Sequence, residues 1–366
     1  MPNTVYFYSV DPGSLAIMLP VVKSAPENSN CLWVAEGKSK FVLISKEVEC
    51  LSIDDVFKDN KIGCSGRNEI LILGCQMNTS RTVEILEKCK KTGLKTIFIF
   101  DHWSKYKDHF AGADGRLVLP DKILVMDKLV RQELIDIGVS ESNIVVVGHP
   151  SVEETMKLFS QLDEKDLDQI WAKMGVSPGQ KTVLLALEPL ADFEQLAFLG
   201  YDDRTTTLSV VEVTSQITGH EICLVVRLHP NQNRDKYISF LKEHNLQDKV
   251  ILCPEDITQA ESIFASNVVL GMTSVFLIHA RVVGKPAISL QVNRTSFAAS
   301  ASFKHLDDVV VTNLKDFKVA LLKKLDMKTE PALKLPRNGI ERTWEQIGLL
   351  IAAKMFEVKS QETWQN

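Results

Sequence analysis

Residues 70–100, ILILGCQMNTSRTVEILEKCKKTGLKTIFIF, decide the fold class. Two short apolar runs, 70–74 and 95–100, flank a segment, 80–92, whose apolar residues recur at helical spacing. Gly93 stands where a helix typically ends in the left-handed conformation. Strand, helix and strand in this order predict a βαβ unit, in which the two strands lie parallel in one sheet.

The same rhythm runs along most of the chain and restarts once, near residue 150. We predict strands at 4–9, 41–45, 70–74, 95–100, 122–126 and 143–147 before that point, and at 182–187, 222–228, 249–253, 267–270, 286–290 and 308–311 after it. A chain of 366 residues is too long for one hydrophobic core. The sequence therefore predicts an α/β fold of two doubly wound, Rossmann-like domains, 1–150 and 151–336, with a helix and tail, 337–366, that cross back over the junction.

Composition and charge narrow the function classes. The net charge of −5 argues against nucleic acid as a partner, because its phosphates attract a basic surface. The seven cysteines include no CxxC pair and no metal-ligand spacing with histidine, so we expect reduced thiols and no metal. The N-terminus has no signal-peptide pattern, and no run of about 18 apolar residues suits a membrane helix. We expect a cytoplasmic protein, and peripheral contact with the inner face of a membrane stays open.

Candidate phosphate ligands follow two of the predicted strands, at the edge where doubly wound sheets bind ligands. In the stretch GMTSVF, Gly271 permits a sharp turn, and Thr273 and Ser274 begin a helix whose N–H groups and dipole attract anions. In LVVRLHPNQN, Arg227 lies near His229, whose backbone is restricted by the following proline. We predict that these residues bind a nucleotide diphosphate. The alternatives are a simple helix N-cap at Thr273 or Ser274, and a structural histidine beside an arginine in an ion pair.

The stretch DHWSKY, directly after the strand at 95–100, supplies candidate catalytic residues. Asp101 is predicted to deprotonate an acceptor hydroxyl, or to orient His102 for that task. Trp103 and Tyr106 are predicted to stack on an acceptor sugar. The alternative is that Asp101 caps the next turn and His102 is a loop histidine with satisfied hydrogen bonds. His109, slightly farther along, is expected on a solvated face.

Glu188 is a second acid at a strand end, and it opens a long loop that reaches GYDDR at 200–204. It is predicted to bind ribose or to act on the donor sugar, and a loop with solvated acids is an equally good interpretation. His149, in the second His-Pro pair, is interpreted first as a hinge residue and second as a ligand.

The stretch RLHPNQN…CPEDITQAESIFASNVVLGMTSVFLIHARVVGKPAIS resembles the C-terminal half of GT-B glycosyltransferases, above all the clan of CDP-glycerol glycerophosphotransferases and bacterial sialyltransferases. Residues 120–154 also resemble the close of an N-terminal GT-B domain. The resemblance implies two Rossmann-like domains that face a central cleft, with the acceptor bound by the N-terminal domain. It also implies that His229, Thr273 and Ser274 contact the donor phosphate and that Glu255 and Asp256 lie near the nucleoside.

The chain departs from these families in ways that bear on the donor. Met272-Thr273-Ser274 replaces the Asp-Tyr-Ser-Ser of the glycerophosphotransferases, so a CMP-, CDP- or UDP-linked donor stays open. Hydrolysing nucleotide-sugar epimerases share the fold, but their Ser-Gly-Gly is absent after Gly271. We expect a metal-independent, inverting transferase without a cofactor, which moves a sugar or polyol phosphate to a glycan or lipid-linked acceptor in cell-surface glycan biosynthesis. The alternatives are a nucleotide-sugar hydrolase or 2-epimerase and a non-catalytic binding subunit.

Overall fold

The computed structural model describes residues 3–58, 68–295 and 301–363, and the chain divides into two compact units. Unit 1 comprises Met1–Glu153 and Leu335–Asn366, and unit 2 comprises Glu154–Lys334. The sequence predicts boundaries at 150 and 336 and treats the C-terminal segment as a separate element. The structure groups that segment with unit 1.

Strands and helices alternate along both units. The strands are β1 (Asn3–Ser9), β2 (Ser29–Ala35), β3 (Glu69–Gly74), β4 (Lys95–Ile99), β5 (Lys122–Val125), β6 (Ile144–Val146), β7 (Lys181–Ala186), β8 (Ile222–Arg227), β9 (Ile251–Leu252), β10 (Val268–Gly271), β11 (Ala287–Leu290) and β12 (Val310–Val311). The helices are α1 (Pro12–Lys23), α2 (Gly37–Ser45), α3 (Ile53–Lys58), α4 (Thr79–Thr92), α5 (Lys128–Asp136), α6 (Pro150–Phe159), α7 (Glu164–Met174), α8 (Asp203–Ser215), α9 (Arg234–Glu243), α10 (Gln259–Phe264), α11 (Val275–Val282), α12 (Leu314–Leu325) and α13 (Gly339–Thr363).

Unit 1 is built on a parallel sheet in the strand order β2-β1-β3-β4-β5-β6. The strand predicted at 41–45 is wrong, because these residues lie in α2 and the second strand is β2. In the helix, Leu43 is buried whereas Phe41 and Ile44 are exposed, so the apolar run packs on one side only. A short apolar run of this kind does not distinguish a strand from a helix by its periodicity.

Helix α4 illustrates why the pattern at 70–100 was informative. Its buried residues include Val83, Leu86 and Cys89, which recur at helical spacing and face the sheet. Gly93 ends the helix at φ 70°, and its N–H donates to the Cys89 carbonyl. The predicted helix and its glycine cap are therefore confirmed.

Unit 2 repeats the architecture with the strand order β12-β11-β10-β7-β8-β9, all parallel. The chain builds outward from β7 through β8 to β9, and then from β10 through β11 to β12. The topological switch point thus lies between β7 and β10, and ligands of doubly wound sheets bind beyond the carboxyl ends of such strands. In unit 1 the corresponding point lies between β1 and β3.

The C-terminal helix α13 packs into the core of unit 1. Ile347, Leu350 and Ile351 are buried in the cluster that also contains the residues of β1 and α1. The indole N–H of Trp344 donates to the carbonyl of Val21 at 2.9 Å. The helix therefore completes the hydrophobic core of this unit.

Candidate functional site

The carboxyl ends of β7, β8 and β10 lie side by side in unit 2. Because the three strands are parallel neighbours, the residues that follow them share one edge of the sheet. Glu188, His229 and Thr273 are therefore brought to the same edge, although they are far apart in the sequence. We call this edge of unit 2 the switch-point edge.

Thr273 and Glu188 are joined directly at the switch-point edge. The backbone N–H of Thr273 donates to Glu188 Oε2 at 2.6 Å, and its hydroxyl donates to Oε1 at 2.8 Å. Burial raises the pKa of Glu188 above its ordinary value, and the two bonds from Thr273 oppose that rise. Both residues were singled out from the sequence, but their contact was not predicted, and the catalytic role of Glu188 stays a prediction.

Ser274 is the N-cap of α11. Its hydroxyl oxygen accepts the N–H of Phe276 at 3.1 Å, which confirms the N-cap interpretation. The N–H groups of Ser274 and Val275 have no hydrogen-bond partner in the described ranges of the chain. Two donors and the positive end of the helix dipole therefore stay available to an anion, and phosphate binding here stays a prediction.

His229 is held in one orientation by its own loop. The ring Nδ1 accepts the N–H of Asn231 at 3.0 Å, and the His229 N–H donates to Gln232 Oε1 at 2.7 Å. An Nδ1 that accepts a hydrogen bond leaves the proton of the neutral ring on Nε2. The neutral imidazole therefore carries its N–H donor on Nε2, and phosphate binding by His229 stays a prediction.

Asp203 supports this loop and was not identified from the sequence as a site residue. Its Oδ2 accepts the side-chain N–H of Gln232 at 2.9 Å, and its Oδ1 accepts the N–H of Ala191 at 2.8 Å. Burial raises the pKa of Asp203 above its ordinary value. The signal that could have revealed it is the pair Asp202-Asp203 at the start of α8, where Asp202 is the N-cap.

Arg227, predicted to bind phosphate, is the last residue of β8 and contacts the loop after β9 and the helix α11. Its Nη1 donates to the Ile257 carbonyl at 2.8 Å, and its guanidinium lies 5.9 Å from the centre of the Phe276 ring. Glu255 and Asp256 are exposed in the loop that this bond anchors, at the carboxyl end of β9. Phosphate binding by Arg227 and the place of Glu255 and Asp256 near the nucleoside stay predictions.

Gly271 forms no turn, contrary to the sequence-based expectation. It is the last residue of β10, and its φ lies outside the left-handed region. A Cβ at this position would lie 3.1 Å from Leu277 Cγ and 3.4 Å from the Ala186 carbonyl oxygen. A side chain at this position would crowd Leu277 of α11, which would have to shift by a few tenths of an ångström.

Asp101 follows β4 in unit 1 and lies against the first turn of α1. A Cβ on Gly13 would come within 2.2 Å of Asp101 Oδ2, so only glycine leaves room for this carboxylate. The other oxygen, Oδ1, is buried and has no hydrogen-bond partner among residues 3–58, 68–295 and 301–363. The adjacent Asp11 has a pKa raised by burial and by the charge of Asp101, and its Oδ2 accepts the Met77 N–H at 2.8 Å. A buried carboxylate oxygen without a hydrogen-bond partner in the described ranges suits a proton acceptor, and this role stays a prediction.

Trp103 and Tyr106, predicted to stack on an acceptor sugar, are buried with exposed fractions of 3% and 9%. The Trp103 ring stacks on His149 at 5.5 Å between centroids, and its indole N–H donates to Asp127 Oδ2 at 2.6 Å. Tyr106 packs edge-on against Phe100. Both rings are buried because the loop after β4 folds inward. They support this loop and present no exposed face on which an acceptor sugar could stack.

His149 also serves the loop after β4. Its Nε2 lies 3.1 Å from the backbone carbonyl oxygen of Asp101, and its Nδ1 accepts the Val152 N–H at 3.4 Å. Burial lowers its pKa, so the ring is neutral. With Nδ1 accepting, Nε2 carries the proton and donates to the Asp101 carbonyl. His149 therefore fixes the backbone of the predicted catalytic residue.

His109 is buried, which contradicts its predicted place on a solvated face. It is 2% exposed and packs against the rings of Phe98 and Phe100. Burial lowers the pKa of this histidine to about 3. Its nitrogens lie close to His102 and to Cys75, a cluster that the sequence spacing did not indicate.

The structure adds one observation on membranes. Within the described ranges, no helix combines the length and the apolar character that crossing a bilayer requires.

Comparison with known proteins identifies the fold. Neither the protein-family models nor the curated protein sequences contain a match. Among solved structures, the chain is similar to S. aureus MnaA in its co-structure with UDP, with a TM-score of 0.67 and 15% identity over 96% of this chain and 97% of that chain. It is similar to UDP-GlcNAc 2-epimerase from Neisseria meningitidis bound to UDP-GlcNAc, with a TM-score of 0.66 and 14% identity over 94% and 99% of the two chains. A glycosyltransferase from Rickettsia africae ESF-5 matches with a TM-score of 0.54 and 12% identity over 94% and 98%. These likenesses confirm the predicted GT-B fold of two Rossmann-like units.

Proposed function

We propose that the chain is an enzyme that acts on a nucleotide-linked sugar and binds the phosphates of that donor at the switch-point edge. The observation that carries the proposal is the convergence of His229, with Nε2 as its donor, and the first turn of α11 at one edge of the sheet. An imidazole N–H and the backbone N–H groups of Ser274 and Val275 are suitable donors for phosphate oxygens.

The structural likenesses support a uridine nucleotide as the first donor to test. The S. aureus structure contains UDP, and the Neisseria meningitidis structure contains UDP-GlcNAc. Both cover almost the whole of this chain. CMP- and CDP-linked donors, which the sequence resemblance favours, come second.

The first candidate reaction is transfer with inversion. In it, the acceptor hydroxyl oxygen attacks the anomeric carbon, Asp101 takes the hydroxyl proton, and the nucleotide of the donor leaves with the electrons of the broken bond. The acceptor is a glycan or lipid-linked molecule, and the product belongs to cell-surface glycan biosynthesis. Asp101 is favoured for this role because Oδ1 has no hydrogen-bond partner in the described part of the chain.

The second candidate is a hydrolysing or epimerising enzyme on the same fold. The observation that favours it is the presence of several UDP-GlcNAc 2-epimerases among the similar structures, including those from Methanocaldococcus jannaschii and Neisseria meningitidis. Epimerisation removes the proton at C2 of the sugar and returns a proton to the opposite face, whereas hydrolysis transfers the sugar to water and releases the nucleotide. Neither reaction needs a glycan or lipid-linked acceptor. Transfer and epimerisation both stay candidate reactions, because a shared fold at this level of identity does not specify the reaction.

Incubation of the purified protein with UDP-, CDP- and CMP-linked sugars, without an acceptor, separates the candidates. Phosphorus and proton NMR follow the nucleotide and the sugar in one sample. A transferase releases the nucleotide slowly from one donor and leaves the configuration at C2 unchanged, whereas an epimerase produces the C2 epimer. If none of the donors binds or reacts, the proposal is wrong and the result supports a non-catalytic binding subunit on this fold.

A further inference from the structure

We infer that Cys75, His102 and His109 form a binding site for Zn²⁺ in unit 1. Cys75 directly follows β3, whereas His102 and His109 follow the neighbouring strand β4. The topology therefore joins three side chains that are separated by 27 and 7 positions in the sequence (102 − 75 and 109 − 102). Such spacing matches no local zinc motif, which is why the sequence predicts no metal.

The distances between the three side chains suit one ion after a small adjustment. One ligand atom from each residue lies within 4.8 Å of the corresponding atoms of the other two. With Zn–S near 2.3 Å and Zn–N near 2.0 Å, tetrahedral ligands are separated by about 3.5 Å. The cluster must contract by roughly 1 Å, and His102, whose side chain is 30% exposed, has room to turn.

His109 supplies an independent reason to expect a ligand. It is 2% exposed, and neither ring nitrogen has a hydrogen-bond partner among the residues that the structure describes. A buried polar group without a partner is destabilising by about 1–3 kcal/mol. Coordination of a metal by one nitrogen would satisfy that atom where no protein group does.

The orientation of His102 indicates which of its nitrogens would bind the ion. Ser104 Oγ lies 3.1 Å from His102 Nδ1, so a protonated Nδ1 can donate to this hydroxyl and leave the lone pair on Nε2. Hydrogen bonding of the second nitrogen is the usual support of a metal-bound histidine. Asp101 Oδ1 lies 3.8 Å from the same Nε2 and is positioned beside the ion without belonging to the three-residue cluster.

The chemistry of the three ligands favours zinc. One thiolate and two imidazoles suit Zn²⁺, whereas Mg²⁺ and Ca²⁺ prefer oxygen ligands. Binding displaces the thiol proton of Cys75 to solvent, and the metal–sulfur bond replaces the S–H bond. Three protein ligands leave the fourth position to water, an arrangement found in zinc sites that are open to solvent.

Metal binding in unit 1 and nucleotide binding in unit 2 are measured separately, so a failure of this inference is distinguishable from a failure of the proposed donor binding. In the test, the full chain is stripped with a chelator and then titrated with Co²⁺, which reports coordination by its absorption spectrum. Zn²⁺ affinity is measured by competition with a chromophoric chelator. We expect a thiolate-to-cobalt charge-transfer band and the intense visible bands of tetrahedral cobalt, with one Zn²⁺ bound per chain.

Three variants and one control make the result decisive. Cys75→Ser, His102→Ala and His109→Ala should each weaken Zn²⁺ binding by about a hundredfold or more, since even partners of metal ligands contribute 10- to 100-fold. Cys89→Ser changes another buried cysteine of unit 1 and should retain both the affinity and the cobalt spectrum. His102 is partly exposed, so its variant remains informative should a buried substitution prevent folding. A cobalt spectrum without the thiolate band, or unchanged Zn²⁺ affinity in the folded His102→Ala variant, would overturn the inference.

Discussion

The carboxylate of Glu188 accepts both the backbone N–H and the hydroxyl of Thr273, at 2.6 and 2.8 Å. An acid is thereby fixed at the loop that precedes α11, beside the N–H groups proposed to bind the donor phosphates. A carboxylate and a phosphate repel each other when both are charged. The protonation of Glu188 should therefore control how tightly the donor binds.

The first prediction concerns pH. Because the pKa of Glu188 is raised in the folded chain, its carboxyl group stays protonated above the ordinary value of 4.5. We expect the affinity for a UDP-linked sugar to be highest below the raised pKa and to fall about three- to tenfold as the pH rises through it. In Glu188→Gln this dependence should largely disappear. Isothermal titration calorimetry from pH 5 to 8 measures both curves.

The same pKa shift predicts the pH dependence of stability. The unfolded chain loses the Glu188 proton near pH 4.5, before the folded chain does, so the free energy of unfolding should fall as the pH rises from there through the folded pKa. Glu221→Gln, a change at an exposed acid before β8, is the matched control and should leave both pH profiles unchanged. If donor affinity changes with pH in the same way in wild type and in Glu188→Gln, Glu188 does not contribute to the donor site.

The second prediction separates the two roles of Ser274. Aspartate and asparagine are both good N-caps, so Ser274→Asp and Ser274→Asn should change the free energy of unfolding by less than about 1 kcal/mol. The aspartate adds a negative charge beside the proposed phosphate site and should weaken donor binding more than about tenfold. The asparagine should bind within a few-fold of wild type. Equal donor affinity in the two variants would show that Ser274 is an N-cap only.

The third prediction tests the catalytic base. Asp101→Asn retains the shape of the side chain and removes its ability to accept a proton. Turnover should fall roughly 10²–10⁴-fold while donor affinity stays unchanged. His102→Ala is the companion variant. A loss of turnover in that variant alone would mean that His102 is the base and that Asp101 orients it. Asp108→Asn, at an exposed position of the same loop, serves as the control.

The fourth prediction concerns the space beside Asp101. The Cβ of Gly13→Ala would lie 2.2 Å from Asp101 Oδ2, so the carboxylate must move. Misplacement of a catalytic group by about 1 Å can reduce turnover about a hundredfold, and we expect a loss of that order with unchanged donor binding. Gly348→Ala in α13 is the control, because a Cβ there meets no atom within 4 Å. If both variants turn over like wild type, the position of Asp101 does not matter for the reaction.

The sequence predicted the fold well where periodicity and glycine caps agreed, as in α4 with Gly93. The strand predicted at 41–45 is wrong, because a short apolar run does not indicate whether its residues form a strand or a helix that is buried on one side. It located Glu188 and Thr273 at strand ends but not their contact, since pairing across a parallel sheet depends on the strand order. The sequence also did not predict that His109 is buried near Cys75. This contact depends on the order of the strands as well, because the loop after β4 folds over the end of the neighbouring strand β3.

The central claim is that the switch-point edge binds a nucleotide through His229. The most direct measurement is the equilibrium affinity of wild type and His229→Ala for UDP, CDP and CMP, with His244→Ala, a histidine at the end of α9, as the control. We predict that wild type binds at least one of the three nucleotides. We also predict that His229→Ala weakens that binding by about 1.5–3 kcal/mol, the usual contribution of a hydrogen bond to a charged group. Binding of none of the nucleotides by wild type, or equal affinities for wild type and His229→Ala, would contradict the account.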